Sequence, residues 1–190
     1  MAVPAVPAGR TRADAVRNRA RVIAAAAEVF AEKGEAAAVP EIAARAGVGK
    51  GTVYRCFPTK DHLVAAVAIE RVRWFEREAR TAAASADPWG AFAAFMTRLA
   101  DALCRDRGMI FSMSQGLDSP ELLDARAAAH DALRELMDRG IAQGAMRPDA
   151  EPADLKILLS GIASSLAAAH ERDPAVWRRL GQLVVDAFRV

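Results

Sequence analysis

The stretch from Arg21 to Lys60, RVIAAAAEVFAEKGEAAAVPEIAARAGVGKGTVYRCFPTK, constrains this chain more than any other feature. An amphipathic helical segment is followed by two short ones hinged on Gly47. The second short segment, from Lys50 to Arg55, carries polar, basic and aromatic side chains where a core helix would carry leucines. So short a helix has little reason to be polar and cationic unless it meets a polar, anionic surface.

The rest of the composition fits an all-α chain. Hydrophobic residues make up 53% of the 190, ample for a core, and much of that is alanine, a helix former. No run alternates Val, Ile, Thr and aromatic residues as a half-buried strand would. The net charge of +2 is unevenly spread. Residues 1–65 hold ten Lys/Arg against six Asp/Glu, or +4; the remainder holds 16 against 18, or −2. A basic amino-terminal third on a mildly acidic body suits an anionic partner at that end.

Cys56 and Cys104 sit in no metal-type spacing and suggest no disulfide framework. No apolar run reaches the ~18 residues of a membrane span. The start, MAVPAVPAGR, places its arginine after the apolar stretch, the wrong order for a signal peptide. Residues 1–13 therefore read as a flexible basic arm, and the protein as cytoplasmic, with no membrane partner.

Periodicity predicts a first helix over 14–33, with Ile23, Ala26, Ala27 and Phe30 on one buried stripe and Gly34 as its carboxy-terminal cap. Pro40 suits the first turn of the next helix, which buries Ile42, Ala43 and Ala46. Gly47 stops that helix, and Val48 packs back into the core. Phe57 is an expected anchor before Pro58, and Thr59 a plausible N-cap for a long helix over 60–84. Further helices are expected at 88–106, 109–116, 119–143, 151–171 and 173–189. In the last two, Leu155, Leu158, Leu159, Ile162 and Leu166 form one apolar stripe, and Leu180, Val184 and Phe188 another. The small residues between them, among them Gly161 and Ala163, allow close helix approach. The pair suits either ordinary core or half of a four-helix dimer interface.

From Arg17 to about Glu76 the chain resembles the amino-terminal DNA-binding domain of the TetR family of transcriptional regulators. The residues that carry the resemblance are Ile23, Ala26, Phe30 and Gly34, then IAARAGV (42–48), then GTVYRCFPTKDHL (51–63). The remaining two thirds resemble the family only in layout. The resemblance implies a three-helix helix-turn-helix domain over 14–60, joined by a long helix to a helical effector-binding and dimerisation domain over 61–190. It implies a repressor that binds a palindromic operator in duplex DNA as a homodimer, paired through helices 151–171 and 173–189. It also implies that Lys50, Gly51, Thr52 and Arg55 face DNA, that Tyr54 bonds a phosphate, and that Lys60 meets phosphate through its ammonium and its amide. Two departures weaken that anchoring: Ala38 stands where the family has Thr or Ser, and Gly49 where it has a Ser cap. Cys56 stands where an aromatic or His is common, which leaves local base preference open.

The middle helices carry the effector question. Trp89, Phe92, Phe95, Met96, Met109, Phe111, Met113, His130 and Met137 cluster where a small apolar or amphipathic ligand would bind. The same spacing is also that of plain core, which would make the chain a ligand-independent regulator. An all-helical enzyme is the runner-up class, but no nucleophile motif, zinc helix or phosphate loop is found, so no catalytic residue, cofactor or metal is expected. A helical adaptor whose basic end binds membrane or protein is a third class. Salt-dependent, sequence-selective duplex binding separates the first class from both.

Overall fold

The computed structural model describes residues 12–106 and 119–190. Helices α1 (Arg12–Lys33), α2 (Val39–Ala46) and α3 (Lys50–Cys56) come first, with a single 3-10 turn, Gly34–Ala36, after α1. They are followed by α4 (Lys60–Ala83), α5 (Pro88–Arg105), α6 (Pro120–Ala142), α7 (Pro152–Ala168) and α8 (Pro174–Ala187). Among the described residues the one non-helical pairing is an isolated antiparallel bridge between Met146 and Arg189. Boundaries follow local chemistry. Ser119 and Asp173 accept hydrogen bonds from the first-turn amides of α6 and α8, and a proline opens each of these helices. No helix among the described residues is long and apolar enough to cross a membrane.

Of the residues 1–13 expected as a basic arm, Arg12 and Ala13 belong to α1, where Asp14 in the first turn pairs with Arg17. Residues 1–11 lie outside the described residues, as does the helix expected at 109–116.

Two large cores share one helix, with a small cluster of Ala68, Ile69 and Leu122 joining α4 to α6. The smaller of the two cores buries Val22, Ile23, Ala26, Val29 and Phe30 of α1, Ile42, Ala43 and Ala46 of α2, and Val53 of α3. Ala27, expected on the buried stripe, lies at its edge and is only half-buried. Leu63, Val64, Ala66 and Val67 complete this core from the first turns of α4, so it runs past the boundary expected at residue 60. The larger core takes Ala79, Ala82 and Ala83 from the far end of α4 and fills the space among α5, α6, α7 and α8. There α4 lies along α6 and α5 along α8. Helix α4 thus contributes to the small amino-terminal core at one end and to the large helical body at the other.

Candidate nucleic-acid interface

Helix α2 ends on Gly47, whose φ of 64° is left-handed. The N–H of Val48 donates to Ala43 O (3.0 Å) and that of Gly47 to Ala44 O (3.1 Å), the paired bonds of a Schellman cap. Val48 is thereby folded back against the small core. The positive φ demands glycine, as the sequence implied. Across the turn, Arg21 of α1 donates to Gly47 O at 3.4 Å. The chain then enters α3 through Gly49, an N-cap with no side-chain acceptor. Ala38 likewise caps α2 without a hydroxyl, and the carboxylate of Glu41 accepts the Ala38 N–H at 3.4 Å.

Helix α3 buries a single side chain, Val53. At ~100° per residue, Gly51 and Arg55 both fall within about 20° of the point opposite Val53, with Thr52 and Tyr54 on the two flanks. The outward face is therefore Gly51 and Arg55, edged by the Thr52 hydroxyl and by Tyr54, which is 50% exposed. Lys50 is exposed in the first turn. Cys56 is half-buried against the small core, not on the outward face. Phe57 is buried, with the Arg19 guanidinium 5.2 Å from its ring centroid, which fixes where α3 leaves the domain.

Charge pairing separates α3 from its neighbours. Arg45 of α2 forms a two-pronged bridge to Glu32 of α1 (2.6 and 3.0 Å) and reaches Glu28 at 3.6 Å; Lys33 pairs with Glu41. The Arg45 bond holds the Glu32 carboxyl below its ordinary pKa, and the Lys33 bond, with the Ala38 amide, does the same for Glu41. The cations Arg17, Lys33 and Arg45 of α1 and α2 thus meet carboxylates, while Arg19 lies over Phe57 and Arg21 meets the Gly47 carbonyl. The cations of α3, Lys50 and Arg55, pair with no carboxylate among the described residues. Beyond α3, Thr59 caps α4 by accepting the His62 N–H at 3.3 Å. Lys60 is then the first helical residue, where the backbone N–H points out along the axis and the dipole favours an anion. The structure brings Lys50, Gly51, Thr52, Tyr54 and Arg55 onto one short helix, with Lys60 at the start of the next.

The residues expected to line an effector pocket are arranged differently. Phe92, Phe95, Met96 and Met137 are at most 1% exposed, inside the large core. Phe95 meets the edge of Phe75 at 4.9 Å, and Phe92 lies 6.0 Å from Phe188 and 5.9 Å from the half-buried Trp89. Phe75 and Phe188 were not singled out for this region by sequence spacing, because they come from the distant helix α4 and from the end of α8. His130 corrects the expectation: it is exposed on α6, with Nδ1 3.5 Å from Asp131, because the buried stripe through Ala125, Ala129, Leu133 and Leu136 is centred roughly 100° around the helix from it. Met109, Phe111 and Met113 lie outside the described residues.

On the opposite flank, α7 and α8 leave an apolar surface. Ile157 is 70% exposed, Leu158 40% and Leu183 52%. A groove of about 380 Å³ between them is lined by Ile157, Leu158, Gly161, Ile162, Leu166 and Leu180. Leu155, read from the sequence as part of that stripe, is instead fully buried in the large core, as are Val184 and Phe188.

Comparison with known proteins agrees with this geometry. The family described as "Bacterial regulatory proteins, tetR family" matches residues 22–67. That described as "Transcriptional regulator SbtR-like, C-terminal domain" matches residues 87–190. No curated protein matches. A TetR regulator from Mycobacterium vanbaalenii is 36% identical, with 94% of this chain and 99% of that one covered and a TM-score of 0.64. The TetR regulator SCO0520 of Streptomyces coelicolor is 33% identical over 90% of this chain and 98% of that one, with a TM-score of 0.67. SmeT, the repressor of a multidrug efflux pump of Stenotrophomonas maltophilia, is 26% identical over 90% of each chain, with a TM-score of 0.64. With both parts of the chain matched, and relatives above 30% identity over nearly its whole length, this protein belongs to the TetR family of DNA-binding transcriptional regulators.

Proposed function

We propose that the protein is a dimeric repressor acting in the cytoplasm. It reads a palindromic operator through α3 and is released by a small apolar or amphipathic ligand held among the carboxy-terminal helices. In this reading residues 12–67 form the DNA-binding unit and residues 68–190 the effector and dimerisation body. Lys50, Thr52 and Arg55 face DNA, Gly51 lets the helix backbone approach the groove, and Tyr54 and Lys60 bond phosphate. The observation that carries it is the outward face of α3, polar, aromatic and cationic, with Lys50 and Arg55 paired to no carboxylate among the described residues while Lys33 and Arg45 are neutralised nearby. Repression is supported by SmeT, whose own role is that of a repressor.

The test is selection of fragments of the source genome on the full-length protein, followed by binding at several salt concentrations. The expected result is a two-fold symmetric sequence with half-sites about one helical turn apart, ~34–36 Å, or a multiple of it. Lys60→Ala weakens binding to all duplexes and lowers the salt slope by about 1. Binding that ignores sequence, or a slope unchanged by that substitution, would rule out the reading.

For release, the supporting observation is that α4 is shared by the two cores, so a ligand that tilts it changes the spacing of two α3 helices. The ligand must favour the spread state by its differential affinity; couplings of ~1–3 kcal/mol give about 5–150-fold weaker operator binding. A ligand-independent regulator is the second reading, favoured by the close packing of Phe92, Phe95, Met96 and Met137.

A further inference from the structure

The outward face of α3 holds its arginine in one orientation. Arg55 Nε donates to Gly51 O at 3.1 Å, and Arg55 Nη2 donates to Thr52 Oγ1 at 3.2 Å. These two nitrogens form the side edge of the guanidinium. Of its five N–H donors, that edge uses two. The end edge remains, one N–H each from Nη1 and Nη2, parallel and coplanar. No carboxylate claims it among the described residues.

Two parallel donors need two adjacent acceptors. In the major groove only guanine offers that pair, O6 and N7. Adenine sets a donor beside its N7, cytosine presents a donor, and thymine has one acceptor beside its methyl group. Gly51 opens the way: its carbonyl has no Cβ beside it, and a Cβ there would meet nothing within 4 Å. The helix surface around the Arg55 stem is bare for reasons internal packing does not supply.

Resting on the assignment of α3 as the DNA-reading helix, we infer that Arg55 reads a guanine end-on in each operator half-site. Thr52 is its positioning residue, its hydroxyl oxygen accepting from Nη2 and holding the guanidinium plane ready. Because the free protein already holds this rotamer, less side-chain freedom is lost on binding. The hydroxyl proton of Thr52 is left to donate elsewhere.

The test uses full-length protein. A randomised duplex library defines the half-site, and affinities are then measured at fixed salt with each guanine in turn replaced by 7-deazaguanine, which lacks N7. One guanine per half-site is expected to respond, its replacement weakening the wild-type protein about tenfold, within the range of a bidentate base contact. Arg55→Ala binds the natural and 7-deaza duplexes equally. Thr52→Val loses most of the discrimination at that same guanine, and Thr52→Ser, which keeps the hydroxyl, restores it. Thermal melts of all three variants should match the wild type, since Arg55 is exposed and Thr52 lies at the edge of the outward face of α3. Base reading by Arg55 is overturned if no guanine separates wild type from Arg55→Ala. Positioning by Thr52 is overturned if Thr52→Val keeps the discrimination, or shifts preference at a different base pair only. A wild-type protein that selects no sequence at all overturns the assignment of α3, and this inference with it.

Discussion

Gly51 is the residue whose presence costs the fold and returns nothing to it. It stands inside a seven-residue helix, where glycine is about 0.5–1 kcal/mol worse than alanine. Its backbone is not left-handed, and no atom beyond its chain neighbours and its own helix backbone lies within 4 Å of where a Cβ would be. Contrast Gly47, where a positive φ of 64° demands glycine and the Arg21 Nη2 atom, 2.6 Å from the would-be Cβ, would have to move aside. The proposed explanation for Gly51 is close approach of the α3 backbone to the floor of a groove. Gly51→Ala should therefore raise the melting temperature, by the equivalent of about 0.5–1 kcal/mol, and lower operator affinity. Calorimetry and fluorescence anisotropy on the same sample check both signs; a stabilised variant with undiminished affinity would place some other surface against DNA.

At the scale of elements, α4 is pinned midway. Arg71 is 8% exposed, and its Nε and Nη2 donate to the two carboxylate oxygens of Asp106 at 2.8 and 2.7 Å. Asp106 follows the last turn of α5, so the pair ties the middle of α4 to the end of α5. Burial holds the Arg71 pKa below its ordinary value, and the Asp106 charge and hydrogen bond offset that only in part. Removing one partner of such a pair leaves a charge in a poorly solvated site, which is why the loss exceeds what the bridge contributes. Asp106→Asn should destabilise the protein by about 2 kcal/mol, less than the 3–5 of a fully buried pair, because the Asp106 side chain is 30% exposed. Urea unfolding measures it; a change below about 0.5 kcal/mol, the level of a surface pair, would show that solvent screens the site. Arginine at position 71 gave no signal in the sequence, since neither its spacing nor its charge sets it apart from Arg73 or Arg77.

Across the whole molecule, the exposed apolar flank of α7 and α8 needs a cover. Ile157, Leu158 and Leu183 lie beside a groove floored by Gly161, and a second copy related by a two-fold axis would place helix pair on helix pair. Ile157→Glu puts a charge at the most exposed of these positions, where the monomer loses nothing. Sedimentation should show a dimer for the wild type at micromolar concentration and a monomer for the variant. The variant should bind a full operator no more tightly than a single half-site. A variant that still sediments as a dimer would move the interface elsewhere.

The helix positions among the described residues, the Gly47 turn and the face of α3 could be read from the chain alone, because each is set by neighbours within a few residues. A 3.6-residue stripe, a left-handed glycine or a capping Thr59 is a local matter, and the family's pattern GTVYRCF…TK runs along one short stretch. What needed the tertiary structure was everything joining distant parts of the chain. His130 and Met137 share α6, and only the packing of α4 and α5 against it decides that Met137 faces the core and His130 faces water. Leu155 and Ile157 are both apolar and two residues apart, yet one is fully buried and the other 70% exposed, because the large core covers only one side of α7. The Arg55 to Thr52 bond lies between, within one turn of helix but dependent on a rotamer, and rotamers are chosen by three-dimensional surroundings. Sequence specifies which faces are apolar; which of them meet is decided only when the helices pack.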